Sequence, residues 1–253
     1  MAKRSSRTQG SRTERNSRRH QKASTLGQYR GQPLRDHDPE ETAHREMKPI
    51  TLLTARQGLY HKSLTENVLT FGVGPAGTGK TYVAVSVGCR GFLDGLYDRM
   101  IFTRPALGSD EDLGFFPGDQ GEKFAPWMVP VKDILDLHLG KSYVEYLIKR
   151  EIIVFQPFAT MRGLSWNKTF IGLDEAQNTT PKQMELFLTR VGKESVVFVD
   201  GDYRRQKDVV GNSGLEDAIY RLRDKPGVGL VEFGVEDIVR SGFARLVVEA
   251  YAD

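Results

Sequence analysis

Residues 74–81 read Gly74-Pro75-Ala76-Gly77-Thr78-Gly79-Lys80-Thr81, a spacing of glycines closed by lysine and threonine that suits the handling of a phosphate chain. Glycines let successive backbone N–H groups turn inward on an anion. A helix starting behind them adds its unpaired donors and the positive end of its dipole. Lys80 is then placed for the β- and γ-phosphates, and the Thr81 hydroxyl for Mg²⁺. The flanks agree: Val68 to Val73 is a short apolar run, and Tyr82 to Val87 is apolar at mixed helical spacing. The loop calls for a nucleoside triphosphate with Mg²⁺.

Further candidates lie behind other apolar runs. Asp174 and Glu175 end the run Thr169–Leu173. Asp174 there can anchor Mg²⁺ through Thr81 or a water, and Glu175 can orient or deprotonate the attacking water. Gly201 and Asp202 end the next run, with Gln206 beyond them as a γ-phosphate sensor. Thr103, Arg104 and Pro105 close another run and offer a contact to nucleic acid. Upstream, the Gln57 amide can donate to and accept from an adenine edge at once, and Tyr60 is near enough in sequence to pack on the base. Arg240 is a cation with no sequence-local structural task.

Elements must bring these residues together. Strands are predicted at Val68–Val73, Met100–Thr103, Ile152–Phe155, Thr169–Leu173, Val196–Asp200 and Val228–Phe233. Helical patterns start behind the phosphate loop and recur at Pro130–His138, Ser142–Lys149, Pro181–Thr189, Ser213–Leu222 and Phe243–Tyr251. Thr180 before Pro181 reads as a cap with a first-turn proline. Ser213 with Glu216 reads as a capping box. Such alternation predicts an α/β fold with right-handed crossovers and a mostly parallel sheet, ligands lying at the carboxyl ends of the strands.

Composition sets bounds. The chain has 253 residues, 39% of them hydrophobic, and a formal net charge of +3. Residues 1–47 are rich in Arg, Lys, Ser, Gln and His; Lys3, Arg4, Arg7, Arg12, Arg15, Arg18, Arg19 and Lys22 face only Glu14. That segment reads as a disordered basic tail able to touch nucleic acid phosphates, ahead of a domain at 48–253. The one cysteine, Cys89, excludes a disulfide framework and any thiolate zinc cluster. No run approaches a membrane-spanning length, and a cytoplasmic protein is expected.

The segments "GPAGTGKTYVAV", "TRPA", "LGFFPGDQGEKFAPWMVPVKDIL", "LDEAQNTTPKQMELFLTRVGKES" and "SGLEDAIYRL" resemble the PhoH family of P-loop ATPases, from about Lys48 to Tyr251. The resemblance implies a single RecA-like core, related to those of superfamily-one helicases. It implies Gln57 as the adenine reader, Lys80 and Thr81 on phosphate and Mg²⁺, Asp174 and Glu175 as the acid pair, and Arg240 at the γ-phosphate. The family pattern G-D-x-x-Q carries one extra residue here, which leaves Gln206, Arg204 and Arg205 all in play as the sensor. The implied function is ATP hydrolysis coupled to binding or remodelling of RNA, or of single-stranded nucleic acid generally. The alternative is a nucleotide-gated binding module with little turnover. Thymidine kinases share D-E-A-Q but need cysteines for zinc that this chain lacks, and the first 47 residues are too short and charged for a nuclease-like domain. A single core also implies a homo-oligomeric ring, a hexamer, whose subunit boundary supplies the other half of the cleft. Phe115, Phe116 and Trp127 are candidates for stacking bases.

Overall fold

In the computed structural model the described residues are 47–105, 124–161, 165–202, 212–240 and 242–250. The basic segment up to residue 46 lies outside them, as do Phe115, Phe116, Arg204, Arg205 and Gln206.

Runs of Val, Ile, Phe and Leu too short for helices become strands, the four central ones buried on two faces because helices cover both and the two edge strands only partly buried. They are β1 (Leu69–Val73), β2 (Arg99–Thr103), β3 (Ile153–Phe155), β4 (Thr169–Leu173), β5 (Val196–Gly201) and β6 (Val228–Glu232). All pairings are parallel and the order is β3-β2-β4-β5-β1-β6. Val73 pairs with Gly201 and Glu232, while Thr103 pairs with Leu173, which pairs in turn with Val199, two residues before Gly201. The strands therefore finish at a common edge, and the residues just beyond one strand meet those just beyond its neighbours. This is the α/β architecture with a parallel sheet that the alternation of runs predicts, and the RecA-like core that the family resemblance implies.

The helices are α1 (Ala55–Glu66), α2 (Lys80–Leu93), α3 (Val129–Leu139), α4 (Lys141–Lys149), α5 (Pro181–Leu188), α6 (Gly214–Leu222) and α7 (Gly242–Ala250). Side chains alternate across the sheet as period two demands. Phe102, Phe170 and Phe198 join Val83, Leu135 and Leu147 of α2–α4 in one apolar cluster. Phe71, Ile171 and Val199 join Met184, Phe187, Leu215 and Ile219 of α5 and α6 in the other. Thr180 caps α5 with Gln183 in a full capping box, while Ser213 caps α6 by accepting from the Leu215 N–H. Cys89 is buried on α2. No helix among the described residues is long and apolar enough to cross a membrane.

Helix α1 has no counterpart among the predicted helices. Its buried stripe is Gln57, Tyr60 and Leu64, and with a glutamine and a tyrosine in three positions it carries little apolar signal. The stripe is polar because of what it meets. The Tyr60 hydroxyl donates to the carboxylate of Asp200 on β5, in a site where both side chains are fully buried. Gly72, the β1 residue paired with Asp200, makes room for them: a Cβ there would lie 2.8 Å from the Tyr60 hydroxyl and clash with Asp200 Oδ1. Tyr60 is thus core, corrected from the base-packing role expected of it, since its ring and hydroxyl are both committed inside the fold.

Burial pushes the Asp200 carboxyl up to about 8, against the lowering pulls of the Tyr60 hydrogen bond and Lys80. The folded state therefore keeps a proton that the unfolded chain loses near the ordinary carboxyl value of 3.8. For a raised carboxyl the native state binds the extra proton, so stability falls as pH rises from about 4 to about 8. Between about pH 6 and pH 9 this amounts to about 2–3 kcal/mol, or about 5–10 °C of melting temperature. Thermal melts should show that tilt in the wild type and a flatter profile in Asp200→Asn. Parallel pH profiles for the two proteins would refute the buried-proton account.

Candidate active site

The turn from β1 into α2 carries the phosphate loop. Gly77 and Gly79 hold φ of 87° and 81°, values that side chains with a Cβ rarely adopt. Both are also approached closely. A Cβ on Gly77 would sit 2.7 Å from the Arg240 side chain, and one on Gly79 would sit 2.6 Å from the Gln57 amide. Inside the loop the Thr78 hydroxyl donates to the Pro75 carbonyl. The Lys80 ammonium donates to the carbonyls of Gly74 at 2.7 Å and Pro75 at 2.9 Å. Burial lowers the Lys80 pKa, while the four surrounding acids Asp200, Asp174, Asp202 and Glu175 raise it.

Beside the loop, Asp174 comes directly after β4, and its N–H donates to the Thr103 carbonyl at the end of β2. Burial raises its pKa first, Glu175 adds to that, and Arg104 and Lys80 pull it down. Glu175 takes up a left-handed backbone, φ 53°. Such a conformation costs a non-glycine residue on the order of 1–3 kcal/mol and recurs at functional sites. It is held by side chains: Asp174 Oδ1 accepts from the Glu175 N–H at 3.0 Å, and Gln177 Nε2 donates to Glu175 Oε2 at 2.6 Å. The other end of the same amide accepts from the Asp202 N–H at 3.1 Å. Gln177, 1% exposed, thereby clamps the end of β4 to the end of β5. Gln177 is not among the candidates visible in the sequence; the signal it offers is a two-headed amide two residues beyond Glu175.

Arg240 reaches the loop from beyond β6. The turn Val235–Asp237 is closed by the Gly234 N–H on Asp237 Oδ2, and the Val239 N–H donates to the Gly77 carbonyl at 3.0 Å. The result is one cleft of about 300 Å³, lined by Gly74, Ala76, Gly77, Gly79, Lys80, Thr81, Arg104, Asp174, Glu175, Gln177, Asp202 and Arg240. Arg240 belongs to the cleft of its own chain. No neighbouring subunit is needed to bring an arginine there.

Three expectations meet a different geometry. Thr103 and Pro105 are buried, and Arg104 turns into the cleft, its guanidinium 3.6 Å from Glu175; the group expected on nucleic acid faces the nucleotide side. Parallel register accounts for this, because residues after β2 emerge next to Asp174. Trp127 lies under the Arg104 guanidinium at 5.7 Å. Gln57 is 1% exposed, with its amide taken up by backbone: Nε2 donates to the Thr78 carbonyl at 2.9 Å and Oε1 accepts from the Leu53 N–H at 2.7 Å. In this arrangement it braces the loop.

The site suits a Mg²⁺–nucleotide by its donor set. Lys80 and Arg240 match a polyphosphate, and the oxygens of Thr81 and Asp174 match a hard cation. Among the described residues no group of three or more His, Cys, Asp or Glu could hold a metal by itself. Thr81 and Asp174 are the residues that would supply oxygen ligands to Mg²⁺.

Fold and loop together define a P-loop NTPase with a RecA-like core. Within that class the chain belongs to the PhoH-like protein family, whose model matches residues 49–252. It is 42% identical over 212 residues to Protein PhoH of Escherichia coli strain K12, covering 82% of this chain and 60% of that protein. It is 40% identical over 216 residues to a PhoH-like protein of Bacillus subtilis, covering 85% and 68%. The chain thus spans about three fifths of the Escherichia coli relative. A solved Pif1 helicase from Candida albicans is similar at TM-score 0.38 and 15% identity, over 72% of this chain and 40% of that one.

Bracing makes a specific prediction for Gln57→Ala. Losing a buried amide bonded to the loop costs about 1–2 kcal/mol, so affinities for ATP and GTP should fall together by roughly 5- to 30-fold. A selective loss of ATP, with GTP unaffected, would return Gln57 to adenine reading.

Proposed function

We propose that the protein is a Mg²⁺-dependent ATPase. The observation that supports it most is the convergence of Lys80, Thr81, Asp174, Glu175 and Arg240 on one cleft within one chain. Each has a distinct task. Lys80 and the loop amides hold the β- and γ-phosphates, and Thr81 and Asp174 hold the metal, which supplies charge neutralisation at the transferring phosphoryl group. Glu175, pinned by Gln177 and Asp174, orients the attacking water and takes its proton. Arg240 offsets the charge that develops on the phosphoryl oxygens.

ATPase assays and equilibrium binding test this directly. Lys80→Ala should weaken ATP binding, whereas Glu175→Gln should bind ATP and lose about 10²- to 10⁴-fold in turnover. Equal turnover in wild type and Glu175→Gln would remove the assignment. Arg240 acting in cis implies that mixing Arg240→Ala with Lys80→Ala protein recovers no turnover, and recovery would instead require a shared boundary between subunits.

The hydrolysis is coupled, in this proposal, to single-stranded nucleic acid, with RNA the first choice. Support comes from the basic composition of residues 1–47, the kind of segment that neutralises phosphates, and from the family resemblance. The ATPase rate with single-stranded RNA, single-stranded DNA and no polymer separates the cases, stimulation by RNA alone being the expected result.

A further inference from the structure

Among the described residues two groups engage Arg104, and neither holds it fully. Its guanidinium lies 3.6 Å from Glu175 Oε1, beyond the about 2.7–2.9 Å of a charge-assisted hydrogen bond. Among the described residues its Nε is buried without a hydrogen-bond partner. The guanidinium rests over the Trp127 ring, 5.7 Å from the centroid, an arrangement that a planar cation favours and that tolerates sliding. The side chain is only 18% exposed, so a charged fork with spare donors is shut into the same cleft as Lys80, Thr81 and Arg240.

We propose that Arg104 is a positioning residue that reads the third phosphate of a bound nucleotide. The inference rests on the nucleotide reading above. Glu175 and a γ-phosphate compete for one fork. A γ-phosphate carries more charge and offers oxygens in the bidentate geometry that arginine matches, so it outcompetes a carboxylate that Arg104 already holds at long range. With a diphosphate, Arg104 stays on Glu175 and keeps the carboxylate engaged. With a triphosphate, Arg104 moves to the phosphate, and Glu175, still oriented by Gln177, is released to accept a proton from water. The base is thereby armed only when there is a bond to hydrolyse.

Trp127 makes the step visible, because the guanidinium leaves or shifts over its ring. The experiment records tryptophan fluorescence of the full chain with Mg²⁺ and either ADP or a non-hydrolysable ATP analogue, with calorimetry measuring binding in parallel. Trp127→Phe identifies the part of the signal that belongs to Trp127. The expected result is a Trp127 change with the analogue several-fold larger than with ADP. Arg104→Gln should abolish that difference, weaken the analogue roughly tenfold or more, and leave ADP affinity within about threefold, which also shows that the variant is folded. Arg104→Lys, which keeps the charge without the fork, should recover part of the analogue affinity. Equal Trp127 responses to both nucleotides, or an Arg104→Gln protein that keeps its preference for the analogue, would overturn the role of Arg104 and leave the ATPase assignment standing. Failure of both nucleotides to bind the wild type would overturn the nucleotide reading and this inference with it.

Discussion

Pairing of β1 with β5 on one side and β6 on the other is the interaction on which the site depends. The phosphate loop has no fixed place until the strand before it is locked into the sheet. Once Val73 is in register with Gly201 and Glu232, the loop faces Asp202 on one flank and the approach to Arg240 on the other. Backbone bonds complete the anchoring: the Gly74 N–H donates to the Gly201 carbonyl, the Phe233 N–H to the Val73 carbonyl, and the Val239 N–H to the Gly77 carbonyl. Site geometry here is a consequence of sheet register, with side chains adjusting what backbone pairing has already set.

A second constraint is charge kept out of water. Lys80, Asp174 and Asp200 all sit where burial disfavours their ionised forms, so one cation is lowered and two acids are raised. None of these shifts is independent, since each group appears among the influences on another. Strong coupling inside a low-dielectric cleft makes the site responsive to any added charge. A polyphosphate with its metal is such an addition, and it would act on all of these groups together. Arg104 and Glu175 occupy the outer margin of this network, where the carboxylate is about one third exposed and movement is least costly.

Much of this is legible in the residues themselves. Six strand positions, the phosphate loop and the acid pair can be read because each depends on local pattern: apolar runs, glycine spacing, an acid closing a strand. The contacts of Tyr60, Asp200, Gln177 and Arg104 cannot be read in the same way, because most of their partners lie far away in the chain. The Tyr60–Asp200 pair spans 140 positions. Arg104, judged by its neighbours in sequence, is a surface contact, whereas parallel register brings it beside Asp174. Gln57 shows the same effect in a subtler form. Its residue type suits a nucleobase edge, but it meets the carbonyl of Thr78 and the N–H of Leu53 first, and an amide as buried as this one must find partners.

The placement of β1 also has a consequence in time. This strand is complete by residue 73, but its two neighbours are made only at residues 196–201 and 228–232, and the arginine that packs on its loop is residue 240. During synthesis at about 5–20 residues per second, the strand that carries the phosphate loop waits on the order of ten seconds for the partners that give it shape. Throughout that interval an apolar edge is available to wrong partners, and the loop lacks the cleft that would hold nucleotide. Such long-range pairing slows folding as well. A nucleotide would therefore stabilise this fold only after nearly the whole domain has emerged, as a ligand of the folded domain and no help to the nascent one.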